Sequence, residues 1–250
     1  MQIDWANFEI GTLASLALMT GGAVKGTTGL GLPLVSVPLL AYLVGLTQAT
    51  ELMVVPIIAS NLAQSFQGGN FVGIARRFWP LLLPLVLSII ASAYVLVHLP
   101  ERVLDLMLGI SLVVLSPLLH FGNRLHVADH QERWLSPLIG LVSGALGGFS
   151  TIFGPPVMLY MRALRLGKTE FVAALSLIYL VGSVGIFIGI YGVGPGRLGS
   201  LWLSAAACIP VFLGLWIGLR LHHRLSEHRF GQVLLGILVV IGLSYVVRSL

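Results

Sequence analysis

The chain has 250 residues, 57% of them hydrophobic and only 9% charged, with mean hydropathy +0.98 and a formal net charge of +5. A soluble domain carries about a quarter charged residues, so this composition excludes a water-borne globule and makes lipid the solvent. The basic residues are scattered through short loops with no stripe or basic helix, which excludes nucleic acid as a partner.

In chain order, the opening MQIDWANFEIG has no basic n-region and no small-residue cleavage site. The first apolar segment is therefore expected to stay in the membrane. That segment covers 8–46 and is broken at Lys25–Gly31. Apolar segments follow at roughly 48–68, 78–98 and 102–119. A polar run, His120 to Arg133, reads as a cytoplasmic linker. The second half repeats the scheme, with 134–166 broken at Gly147–Gly154, then roughly 169–192, 198–220 and 228–248. The expected divisions are a first membrane repeat at 1–119, the linker at 120–133 and a second repeat at 134–250.

The two broken segments align without gaps at an offset of 122 residues. Gly22 falls on Gly144, Ala23 on Ala145, Gly26 on Gly148, Pro33 on Pro155, Val35 on Val157, Gly45 on Gly167 and Thr47 on Thr169. Broken helices at matching points of two halves are a mark of transporters, in which they form the substrate site. Each piece is expected to hold about 15 residues, or roughly 23 Å of helix, against a hydrocarbon core of about 30 Å. Each broken segment is thus either one kinked span or a hairpin that enters and leaves on one side.

The positive-inside rule separates these readings. With hairpins, one face receives Arg76, Arg77, Arg124, Arg133, Arg162, Arg165, Lys168, Arg220, Arg224 and Arg229, ten in all, and the other only Arg102, Arg197 and Arg248. With single kinked spans the division is six against seven, which is no bias. Two full spans in place of each hairpin would give the same ten-to-three division. The expected fold is an all-α polytopic membrane protein of two inverted repeats. Each repeat is a broken re-entrant helical hairpin followed by three transmembrane helices, with both termini on the non-cytoplasmic side.

The breaks also supply the candidate chemistry. Gly26, Gly29 and Gly31 let the backbone turn and neighbours approach, while Pro33, Pro155 and Pro156 suit the first turn of the next helix. A helix N-terminus attracts anions through free N–H groups and its partial positive charge. Thr27, Thr28, Ser150 and Thr151 add hydroxyl donors, and Gly148 and Gly154 bracket the second break. Two such breaks meeting near the midplane would cradle a small oxyanion. Lys25 adds a charge, and a cation within a membrane is a functional candidate by default. The plainer reading is that Lys25 snorkels to an interface, or that the first hairpin is shallow. For any single glycine, helix packing is the plainer role.

Asn61 and Gln64, three apart on one helix face, could contact a polar substrate or bond across helices. Tyr179 and Ser176 have the same spacing in the second half. Glu51, at the start of its span, reads first as a helix-end charge. Cys208 is the only cysteine, so no internal disulfide can form, and it reads as a packing residue. The histidines at 120, 126, 130, 222, 223 and 228 fall in loops. No nucleophile constellation, phosphate loop or zinc spacing is present, so neither enzyme activity nor a metal or cofactor is expected.

GGAVKGTTGLGLPLVSVPLL (Gly21 to Leu40) and the second run with Gly154, Pro155, Pro156 and Tyr160 resemble the TauE/SafE family, the sulfite exporters. The resemblance covers nearly the whole chain. The chain departs from the family pattern at Leu32 and Phe153, where members often have further glycine. The resemblance implies transport of sulfite, sulfonates or another small, often sulfur-containing anion across a bacterial inner membrane, with export the expected direction. The substrate-binding set is then Lys25, Gly26, Thr27, Thr28, Gly29, Gly31, Asn61, Gln64, Gly148, Ser150, Thr151, Gly154 and Tyr179. The expected partners are a small anionic substrate and the lipid bilayer, with a homodimer compatible. An anion channel and a non-transporting membrane subunit are the alternatives.

Overall fold

The computed structural model describes residues 8–29, 31–66, 70–121, 126–150, 153–193, 200–221 and 227–249. Among these the chain is all helical. The first half contains α1 (Phe8–Thr28), α2 (Leu32–Val44), α3 (Leu46–Ser65), α4 (Phe71–His98) and α5 (Glu101–Phe121). The second contains α6 (Asp129–Ser150), α7 (Gly154–Ala163), α8 (Lys168–Phe187), α9 (Ser200–Leu221) and α10 (Glu227–Ser249). A π-helical turn, Ile188–Val193, extends α8. By length and composition, Phe71–Val95, Thr169–Phe187 and Leu201–Leu221 are long and apolar enough to cross a membrane.

Both breaks are present but narrower than expected, since α1 runs on to Thr28 and α6 to Ser150, so Lys25–Thr28 and Gly147–Ser150 are helical; their arms are also unequal. The first arms, α1 and α6, have 21 and 22 residues, and the second, α2 and α7, have 13 and 10. The first arms therefore run roughly 31–33 Å and the second only about 15–20 Å. Two further boundaries differ from expectation. Helix α4 starts at Phe71, so Arg76 and Arg77 are helical. Helix α6 starts at Asp129, so Glu132 and Arg133 leave the linker and join it.

The arms of each broken segment fold back on each other. Gly21 lies against Leu32 and Ser36, and the Ser36 hydroxyl donates to the Ala17 carbonyl at 3.2 Å. Gly147 lies against Phe153, while farther along the same arms Ser136 Oγ and Tyr160 Oη share a hydrogen bond of 2.7 Å. In both cases one arm's numbering rises as the other's falls, which makes each pair an antiparallel hairpin.

Each hairpin is held by the opposite half. Helix α1 packs on α9 and α6 on α4, while α3 packs on α8 and α5 on α10. Glycines set the first two contacts. Gly22 and Gly26 face the carbonyls of Val211 and Leu215, and Gly140, Gly144 and Gly148 face those of Leu81, Leu85 and Ile89. A Cβ at any of these five glycines would come closer than 3.0 Å to its facing carbonyl. The numbering advances together across both seams, so α1 runs parallel to α9 and α6 parallel to α4. Helices α5 and α10 run antiparallel, since Gly109 faces Gly242 and the Arg102 guanidinium donates to the Ser249 carbonyl.

Two apolar cores result, and each draws on both halves. One joins α1, α2, α3 and α5 to Val211, Leu238 and Tyr245, and the other joins α7 and α8 to Val54, Phe78, Leu81, Leu85 and Ile89. The outer surface is apolar as well, with Leu87, Ile209, Val240 and Val247 all exposed. Lipid, not water, suits such a surface.

An ion cluster ties one end of the bundle together. Arg77 Nε and Nη2 donate to the two Glu132 carboxylate oxygens at 2.8 Å each, and Nη1 donates to Glu170 at 2.9 Å. The starts of α4, α6 and α8 therefore share a face. The α7–α8 turn is brought to the same face, where the Val127 amide donates to the Ala163 carbonyl at 3.1 Å.

Candidate functional site

The first break is built by its glycines. Helix α1 ends at Thr28, and Gly29 and Gly31 then take φ of +79° and +93°, values that L side chains rarely adopt. Gly31 caps α2 and Pro33 sits in its first turn. Lys25 occupies the last turn of α1, roughly 26 Å along it from Phe8. Its ammonium is buried at 3% exposure, not drawn out to an interface.

Helix α3 supplies the receiving surface. Lys25 Nζ donates to Asn61 Oδ1 at 2.6 Å and to Ser60 Oγ at 3.1 Å. The Asn61 amide is itself oriented, since Nδ2 donates to the Ile57 carbonyl at 2.8 Å. Ser60 Oγ donates to the same carbonyl at 3.3 Å. Both acceptors of the ammonium are neutral, and among the described residues no carboxylate comes within the 4.0 Å of an ion pair. An ammonium has three donors, so one N–H of Lys25 is left without a partner among the described residues.

The threonine hydroxyls bond within their own helix. Thr27 Oγ1 donates to the carbonyls of Ala23 and Val24, at 3.1 and 2.9 Å, and Thr28 Oγ1 to Val24 at 2.8 Å. Their hydroxyl protons thus serve the last turn of α1. Backbone donors are also fewer than the breaks suggest. A helix leaves its first four N–H groups free, but proline has none. That leaves Gly31, Leu32 and Leu34 at α2, and only Phe153 and Gly154 at α7, where Pro155 and Pro156 follow.

The second break is aromatic where the first is charged. Phe153 is fully buried, seated against Gly147 and Gly182, and its ring lies 5.0 Å from that of Tyr179. The Tyr179 hydroxyl occupies the place a Gly154 side chain would take. Gly147 stands where Lys25 stands in the first half, and Ser183 where Asn61 stands. Ser183 Oγ turns back to the Tyr179 carbonyl at 2.5 Å. Each break thus rests on a central helix, the first on α3 and the second on α8, and these two helices pack together.

Of the other expected site residues, Gly26 and Gly148 face α9 and α4 at the seams. Gln64 and Ser150 lie in α3 and α6, with their side chains outside the described residues, and Thr151 also falls outside them. Ser176 is buried on α8. Sequence reasoning missed Ser60, because neighbours on a helix point about 100° apart; a long lysine reaches both by lying between them. It also missed the Arg77 cluster, whose three members are far apart in the chain.

A family profile described as sulfite exporter TauE/SafE matches residues 13–245. No curated protein and no solved structure matches the chain. With the profile spanning nearly its whole length, the chain belongs to the TauE/SafE family of membrane transporters.

Proposed function

We propose that this TauE/SafE protein is a secondary transporter that exports sulfite, a sulfonate or another small, often sulfur-containing anion across a bacterial inner membrane, with Lys25 as the anchor for the anion. The observation that carries the proposal is the Lys25 ammonium, buried with two neutral acceptors and, among the described residues, one N–H to spare. A buried charge is costly unless something compensates it, and an incoming anion would do so. The family supplies the expectation of a sulfur oxyanion.

Inverted halves follow the same reading. Support comes from the parallel courses of α1 with α9 and α6 with α4, the antiparallel course of α5 and α10, and the common face of the α4, α6 and α8 starts. With helices alternating in direction, every element of the second half then opposes its counterpart in the first. On this reading each hairpin enters and returns on one side, its long first arm reaching across the core, and the Arg77 face is cytoplasmic by its share of basic residues. Movement of the two cores, each built from both halves, about the α3–α8 contact would expose the Lys25 region to each side in turn.

The test is flux of labelled sulfite from vesicles containing purified protein, wild type against Lys25→Ala. A charge-assisted hydrogen bond contributes about 1.5–3 kcal/mol, so flux at sub-saturating substrate should fall about ten- to a hundredfold. Unchanged flux would remove Lys25 from the mechanism.

A further inference from the structure

Building on the reading of Lys25 as the anion anchor, we infer that the site selects monovalent over divalent anions, because among the described residues it offers one uncompensated positive charge in an otherwise neutral lining. Lys25 meets only the uncharged Asn61 and Ser60. Helix α2 has no charged residue. On α3 the one carboxylate is Glu51, nine residues before Ser60 and so roughly 14 Å away along the axis. On α9 the nearest cation is Arg220, whose guanidinium lies 3.6 Å over the ring of Trp216, a side chain exposed at the surface. Lys168 and Glu170 sit at the distant start of α8, and Arg162 in the last turn of α7. The second break contributes no cation, since Gly147 replaces the lysine.

Helix dipoles do not change the balance. The C-terminus of α1 and the N-terminus of α2 meet at the break, carrying roughly half a charge each and of opposite sign. Their effects cancel to first order and leave the unit charge of Lys25. A monoanion makes the buried site neutral, whereas a dianion leaves one negative charge stranded there, which is costly. For sulfite, the species taken is the hydrogensulfite ion.

The probes are methanesulfonate and sulfate, both tetrahedral and of similar size, which differ by one charge. Each is titrated against purified protein at matched ionic strength, with thermal stabilisation as the readout. Every shift is taken relative to Lys25→Met, which cancels the general stabilisation that sulfate gives any protein. We expect a Lys25-dependent shift with methanesulfonate and an apparent affinity for sulfate at least about tenfold weaker. Sulfate binding as tightly as methanesulfonate, in a Lys25-dependent manner, would overturn the charge selection while leaving the anchor in place. No Lys25-dependent shift with either probe would overturn the anchor itself, and the selection with it. Asn61→Asp gives a second check, since it sets a carboxylate of the same shape at the position that accepts from Lys25. This variant should fold and lose the methanesulfonate shift; a retained shift would show that the lysine's charge is not what the anion reads.

Discussion

The glycine seams lend themselves to a graded test, because the clash at each position can be read from the structure. At Gly144 an added methyl would sit 2.5 Å from the Leu85 carbonyl and 2.7 Å from Ser88 Cβ. The first distance is 0.9 Å short of ordinary contact at 3.4 Å. A rigid backbone carbonyl cannot rotate away, so α4 and α6 must part by nearly that amount. A gap of about 0.5–1 Å already forfeits a quarter to a half of each dispersion well along an interface. Overpacking of this kind costs about 1–3 kcal/mol, which outweighs the gain of about 0.5–1 kcal/mol that alanine brings over glycine within a helix. Gly144→Ala should therefore lower the melting temperature, at about 2–4 °C per kcal/mol for a chain of this size. Gly22→Ala, its counterpart on the α1–α9 seam, should lower it by a similar amount. Gly236→Ala on α10 is the control: nothing lies within 4 Å of its added methyl, so only the helix gain remains and the melting temperature should rise. The assay is thermal unfolding of the purified protein in detergent. A rise for Gly144→Ala matching that of Gly236→Ala would refute the close-contact argument.

Two other outcomes follow from the same geometry. Arg77→Gln unhooks α4 from α6 and α8; as Arg77 is partly exposed, the loss should be modest, about 1 kcal/mol for such a network, and should shrink in high salt. The double variant with Glu132→Gln should lose less than the sum of the singles in the same thermal assay, since both break one bond pair. For topology, Cys208 is first replaced by Ala, then single cysteines are placed at Arg76, Lys168 and Arg102 and labelled from one side of sealed vesicles. Arg76 and Lys168 should label together and Arg102 from the opposite side; Arg76 and Lys168 on opposite sides would sink the inverted arrangement.

The places where the sequence was readable are those where local chemistry decides the structure. The first break falls where glycine and proline predict it, because positive φ at Gly29 and Gly31 and a proline in the next first turn are backbone requirements, while the second falls just past its glycines, before Pro155 and Pro156. Helix ends were less legible. A hydropathy profile ends where charge begins, yet α4 carries Arg76 and Arg77 in its first two turns, and α6 carries Glu132 and Arg133. Charged residues are good helix formers, so the helix outlasts its apolar stretch. The four-residue spacing of Gly22 with Gly26, and of Gly140, Gly144 and Gly148, announces close helix contact. It does not name the partner, which lies in the other half of the chain for both seams. At the site, Asn61 was visible as a polar residue in an apolar span, but its union with Lys25 across 36 residues was not.

What repeats and what diverges between the halves separates scaffold from chemistry. Gly22 and Gly144, then Gly26 and Gly148, meet the facing helix of the opposite half in the same manner. Each hairpin needs its own seam, so neither copy can lose its glycines without releasing an arm. The reactive positions follow another rule. Lys25 is matched by Gly147, Asn61 by Ser183 and Ile57 by Tyr179. If both copies kept the lysine, two ammonium groups would be held by α3 and α8, which pack on each other, and their repulsion in a poorly screened interior would oppose that packing. One lysine avoids this and, on the proposed function, would still supply a counter-charge for an anion. At the opposite break Phe153 fills the space against Gly147 and Gly182, a seat that a lysine at 147 would block.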